Sequence, residues 1–352
     1  MALRILFIFC WVWSLQCAAV EVTDLYQSEL YVTDKSRDTR VTASKQALYN
    51  VIKKLTGRHD GADSALIKQA MRSISDYMLK YEYLETPEGL TKIRVRFEPS
   101  RVEELVRDAQ LPLWGNRRPL IAIWLAIEDN LRREFVTQDS YPQLERLIYD
   151  TAAEWGVPVI VPLLDLDDLT KVSIAEVWGN FSKPVEFASQ RYNAERVITA
   201  RMFQQPNSSS WQLEWRYTDA QSFEVNKLVG DKQQILSEMV NNFSEALAQS
   251  YAIDPTQSVT LQTTSLLVDN LNTFTSIELA KRQLESMSTV VDVDVTYRSA
   301  DKIRFVIKHS STLDDLIKSL NLEQAFSVYI DPHAFYQVAN VGNLRYSWVG
   351  EQ

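Results

Sequence analysis

Apolar residues recur at spacings of three and four through Val41, Leu48, Val51, Ile52 and Leu55, which predicts a helix with one buried face. Asp38 stands where a cap would open that helix, and Gly57 where a left-handed residue would close it. A preceding run, Val20 to Val32, reads as a strand, and a second helical stripe carries Leu66, Ile67, Ala70, Met71 and Ile74. The period then changes to two on either side of Pro87-Glu88-Gly89, which predicts a hairpin. Ile93, Val95 and Phe97 share one face of it, Arg94 and Arg96 the other. Ser100 with Glu103 reads as a capping box for a short helix ending at Ala109.

"LPLWGNRRP", Leu111 to Pro119, interrupts the pattern with proline, glycine and asparagine, and marks a domain boundary. Beyond it, "LIAIWLAI" is apolar at every position, as expected of a strand buried on both faces. Ser140 with Gln143 and Pro142 predicts a helix that runs to Trp155-Gly156, and "VPVIVPLL" predicts the next strand. Together they make a βαβ unit. Short helices opened by Ser173 and Ser182 follow, then strands over 196–203, 211–217 and 223–229, then a helix over 232–250.

After "IDPTQS" the order is strand, helix, strand, strand, helix, strand, the βαββαβ of a ferredoxin-like plait. Val291, Val293, Val295 and Tyr297 alternate with polar residues, while Leu313, Leu316, Ile317 and Leu320 keep helical spacing. The expected architecture is therefore mixed α/β, or α+β, in three small domains over 20–112, 118–254 and 257–331, with a tail over 332–352 that has no evident period.

Composition adds a location. Arg4, then an uncharged apolar run from Ile5 to Leu15, then Cys17-Ala18-Ala19 read as a secretory signal peptide over 1–19, cut after Ala19. The run is short of the ~20 residues that span a bilayer, and no later segment approaches that length. Both cysteines, Cys10 and Cys17, fall in the leader. The mature chain has no thiol for a disulfide, a metal or a nucleophile, and it relies on its core. A formal charge of −9 disfavours nucleic acid as a partner.

The candidate chemistry is sparse. Glu128 and Asp129 follow one strand of the middle domain, and Asp165, Asp167 and Asp168 follow another. Strand ends are where open α/β sheets bind ligands, so these five acids are the candidates for a carboxylate-dependent hydrolase or a Mg²⁺ or Ca²⁺ site. The competing reading is that Asp165 or Asp167 caps the next helical turn. His59, His309 and His333 lack a second histidine at ligand spacing, and no G-x-S-x-G turn or phosphate-binding glycine loop occurs. The seven tryptophans from Trp114 to Trp348 read as core, against the alternative of an exposed aromatic face that binds a sugar chain or a partner. Trp114, Arg117 and Arg118 are candidates for a small-ligand or peptide site between the first two domains. No cofactor is called for.

The phrases "ASKQALYNVIKKLTGR", "LPLWGNRRPLIAIWLAIED", "WGVPVIVPLLDLDDL", "VWGNFSKPVEFASQRYNAERVITARM" and "WQLEW" resemble, in this order, a proteobacterial family of exported proteins catalogued as domain of unknown function 2066. The resemblance covers most of the mature chain and is densest from Trp114 to Trp215. It implies a Gram-negative periplasmic setting and brings no catalytic residues. The expectation that results is a non-catalytic binding or assembly module of the cell envelope, with an envelope protein as partner.

Overall fold

The computed structural model describes residues 22, 24–87, 89–218, 225–253, 261–287, 289–299, 301–329 and 344–350. The leader read over 1–19, and His333, lie outside the described residues. Three sheets, each with its own apolar core, make a mixed α/β fold in three lobes.

The first lobe comprises β1 (Gln27–Val32), α1 (Arg37–Thr56), α2 (Ala65–Ala70), β2 (Met78–Glu85), β3 (Thr91–Phe97) and α3 (Pro99–Asp108). Its sheet is antiparallel, in the order β1-β3-β2. Ala47, Leu48, Val51, Ile52 and Leu55 of α1 bury against Ile93, Val95 and Phe97 of β3. On the far face Arg94 is held between Glu29 (2.7 Å) and Glu82 (2.9 Å). The predicted caps shift by a residue or two. Ser36, rather than Asp38, accepts from Thr39 N, and Asp38 sits in the first turn, where its charge meets the positive end of the helix dipole. α3 begins at Pro99, so Ser100 bonds Glu98, and Glu103 accepts from the Tyr26 hydroxyl instead of closing a capping box.

The second lobe holds β4 (Ile121–Asp129), β5 (Arg132–Phe135), α4 (Pro142–Trp155), β6 (Val159–Ile160), α5 (Leu166–Lys171), α6 (Ile174–Trp178), α7 (Ser182–Ser189), β7 (Arg196–Gln204), β8 (Trp211–Tyr217), β9 (Asn226–Gly230) and α8 (Lys232–Tyr251). The order is β5-β4-β7-β8-β9, with β6 also paired to β4. β4 lies parallel to both β6 and β7, so the predicted βαβ unit is present. Ile121, Ile123, Leu125 and Ile127 pack toward α4 and α8, while Trp124 and Ala126 pack with Val172, Val177, Val185 and Ala188 of the α5–α7 layer. That double burial explains the unbroken apolar run. Two details differ from expectation. β6 has two residues rather than eight, because Pro158 and Pro162 flank it and neither can donate to a ladder. Ser140 bonds Phe135 O and Thr137 and leaves α4 without a capping box.

The third lobe comprises β10 (Gln262–Asp269), α9 (Phe274–Glu285), β11 (Val290–Ser299), β12 (Lys302–His309), α10 (Leu313–Leu322), β13 (Phe326–Val328) and β14 (Leu344–Trp348). The βαββαβ order is present, but the sheet runs β11-β12-β10-β14-β13. β14, from the stretch read as a tail, inserts parallel to β10 and pushes β13 one place outward. The third lobe thus extends past 331, because Tyr346 and Trp348 bury in its core.

Candidate functional site

The predicted boundary at Leu111–Pro119 is a densely bonded junction. Leu113 exchanges backbone hydrogen bonds with Ile253 (3.0 and 2.9 Å), and Trp114 N donates to Leu55 O at 2.6 Å. Arg118 is fully buried. Its five N–H groups meet five carbonyl oxygens: Lys54 at the end of α1, Trp155 and Gly156 at the end of α4, and Trp114 and Gly115 beside it. The guanidinium also stacks on the Trp114 ring, 4.0 Å from its centroid.

The partners of Arg118 are carbonyls rather than carboxylates. Helix C-termini carry partial negative charge, and two of them converge here. Each ends in a left-handed glycine, Gly57 at φ 62° and Gly156 at φ 65°. A Cβ on Gly156 would lie 2.9 Å from the Arg118 guanidinium, so this close approach requires glycine. Burial pulls Arg118 down to about 9, which still leaves it cationic at neutral pH. Arg117 turns the other way, to Glu323 of the third lobe (3.0 Å), whose side chain is fully buried and also accepts from Gln283. Between Trp114, Arg117 and Glu323 the cavity is only about 20 Å3. The residues expected to bind a ligand between two domains instead tie three lobes together.

The five acids form two separate sets. Glu128 pairs with Arg133 (2.8 Å), and Asp129 with Lys232 (3.4 Å). Each cation lies over a tryptophan, Arg133 on Trp178 and Lys232 on Trp211. Asp165 caps α5 by accepting from Asp168 N (3.1 Å), and it takes both arms of Arg191. That guanidinium pulls the Asp165 carboxyl down to about 2. Asp168 is buried and accepts from Leu164 N (3.0 Å), from Arg191 (3.2 Å) and from the Tyr192 hydroxyl. Asp167 is exposed in the first turn. Local bonds therefore engage four of these acids, and no group of three or more acids, histidines or cysteines could hold a metal among the described residues. Arg191 and Tyr192 were missed at the sequence level; the one signal was an Arg-Tyr pair at a short-helix end.

The other candidates resolve as packing. His309 is buried between Thr264 (2.8 Å) and the Ser311 carbonyl (2.9 Å), and His59 stands edge-on to Trp155. Trp114, Trp124, Trp155, Trp215 and Trp348 are core. A cleft of about 750 Å3 lies where the lobes meet, with Arg58 and His59 from the first, Glu245 from the second and Asp315 and Lys318 from the third.

Residues 19–115, fewer than a third of the chain, match a domain of unknown function (DUF8605). Most of the tract from Trp114 to Trp215, which carries the resemblance stated above, lies beyond that match. No curated protein matches the chain. Among solved structures, a formyltetrahydrofolate deformylase from Pseudomonas putida aligns at 12% identity over 56% of this chain and 90% of that one, with a TM-score of 0.19. A superposition that loose carries no functional argument.

Lys54 beside this junction gives it a pH signature. Its ammonium donates to Gln27 O at 3.0 Å, and burial, then the Arg118 charge, pull it down to about 8. The unfolded chain keeps that proton up to about 10.5. Between these values the unfolded form binds more protons, so stability rises with pH. Thermal melts should show a higher midpoint at pH ~9 than at ~7.5, and Lys54→Met should flatten that rise.

Proposed function

We propose that this chain is a non-catalytic binding or assembly module of the Gram-negative cell envelope, exported to the periplasm behind a leader cut after Ala19. The observation that carries the reading is the Arg118 junction. It fuses three lobes into one frame by backbone and side-chain bonds, as suits a protein that holds surfaces in fixed relation. Each lobe brings exposed apolar or aromatic side chains to the surface of that frame, among them Tyr31, Leu131 and Tyr297. The leader and the lack of thiols after it support export. Among the described residues no helix is long and apolar enough to cross a membrane.

Photocrosslinkers placed at Tyr31, Leu131 and Tyr297 in intact cells test the reading. The expected result is an adduct with an envelope protein from at least one position, on a chain whose first residue by mass spectrometry is Val20. Untrimmed protein in the cytosol with no adduct from any position would overturn it. The cleft of about 750 Å3 supports a second reading, a binder of a small polar ligand held between Arg58, Asp60 and Lys318. That reading predicts an elevated melting midpoint when a periplasmic metabolite fraction is added.

A further inference from the structure

We propose that the free edge of β1 takes up an extended peptide bearing basic side chains, as a fourth strand of the first sheet. The inference deepens the binding-module reading and rests on it.

β1 is an edge strand, paired only with β3. Phe97 N donates to Tyr26 O at 2.8 Å, and this fixes the alternation of the antiparallel ladder. Main-chain groups of Ser28, Leu30 and Val32 turn toward β3, and those of Gln27, Glu29 and Tyr31 turn outward. Gln27 O is taken by Lys54. The outward N–H and C=O groups of Glu29 and Tyr31 remain, and no bond to them occurs among the described residues.

Natural edges are blunted by bulges or kept short. β2 has a register shift between Met78 and Lys80, and β11 has two irregularities. β5 and β13 have four and three residues, and β9 has five, with an unbroken register over five pairs. β1 keeps an unbroken register over six pairs, the geometry a further strand needs.

Space and charge are also present. A groove of about 490 Å3 runs along β1, walled by Asn50 and Lys54 of α1 and by Asp150 and Glu154 of α4. Lys53 is paired to Glu154 at 3.2 Å, and Lys54 is spent on carbonyl oxygens of Gln27 and Asp24. Asp24 and Asp150 stand exposed in the lining without a paired cation among the described residues. An incoming strand would gain main-chain bonds from the edge, and its lysine or arginine side chains would meet these acids.

The test uses the mature chain and a fluorescein-labelled octapeptide of alternating valine and lysine, read by fluorescence polarisation. Two control peptides carry glutamate for every lysine, or N-methyl groups on alternate amides. Saturable binding of the lysine peptide is expected, with at least tenfold weaker binding of each control. Tyr31→Pro removes an outward N–H without touching the ladder to β3, and Asp150→Lys reverses a rim charge. Each should also weaken binding tenfold or more. Equal binding by the N-methylated peptide, equal binding by a Tyr31→Pro protein of unchanged circular dichroism, or no saturable binding would overturn the proposal. Should Tyr31→Pro fail to fold, the N-methylated peptide decides alone. An envelope adduct in cells with no peptide binding would remove the groove and leave the module reading. Peptide binding with no adduct would do the reverse.

Discussion

Arg118→Met will lower the stability of the chain by about 3–5 kcal/mol, because it strands buried carbonyls that each cost about 1–3 kcal/mol when unpaired. The variant keeps much of the side-chain length and leaves the carbonyls of Lys54, Trp155, Gly156, Trp114 and Gly115 without their donor. The full sum is not reached because the helix ends relax. Arg118→Lys keeps the charge but brings three donors in place of a planar five-donor fork, so a loss of about 1–3 kcal/mol is expected from the bonds it cannot remake. Urea denaturation followed by tryptophan fluorescence reads both. The first two lobes meet through this side chain, so Arg118→Met should also split one transition into two. A loss under about 1 kcal/mol with a single transition would mean that the junction is held elsewhere.

Most elements were legible because their signals are local. Gly57 and Gly156 closed their helices as read, since a left-handed residue at a helix end favours glycine wherever it occurs. The double burial of β4 followed from a run with no polar face. Caps were read less well: serine or aspartate offers an acceptor at several neighbouring positions, and only backbone geometry chooses Ser36 over Asp38 or starts α3 at Pro99, one residue ahead of Ser100. β14 had a faint signal, with Leu344, Tyr346 and Trp348 alternating with Arg345 and Ser347. Its membership depends on partners in β10 and β13 that no local pattern names.

The junction was legible as a boundary, but not as the bonded centre that it is. Arg117-Arg118 looks like a solvated basic pair, which is what most such pairs are. Burial of Arg118 arises only when α1, α4 and the 111–119 stretch converge, and those elements are separated by up to about a hundred residues of chain. The same distance problem hid Glu323 as the partner of Arg117. The acids divide between the two readings. Asp165 caps the next helix as one reading expects, whereas the shared ligand site does not form: Glu128 pairs with Arg133, Asp129 with Lys232, and Asp165 and Asp168 with Arg191.

Asp168→Ala is the second large expected loss, about 3–5 kcal/mol, the scale for removing a buried charge with its partners left behind. The carboxylate is completely buried and serves three donors: Leu164 N, the Tyr192 hydroxyl and Arg191. Leu164 sits at φ 53°, a conformation that costs a leucine about 1–2 kcal/mol and that the Asp168 bond holds in place. Asp168→Asn keeps acceptors for Leu164 and Tyr192 but turns an amide toward Arg191, so a loss of about 1–3 kcal/mol is expected. Asp167→Asn, on the exposed side of the same turn, should stay within about 0.5 kcal/mol. Acid should act through the neighbouring carboxylate. Asp165 titrates near 2 in the fold and near ~3.9 unfolded, so its contribution is present above pH ~4 and fades as pH falls toward 2. Urea midpoints across that range, for the wild type and for Arg191→Met, read the effect; the Arg191→Met curve should be flatter. A carboxylate at work in hydrolysis would behave otherwise, with Asp167→Asn or Asp168→Asn abolishing turnover while the fold kept most of its stability.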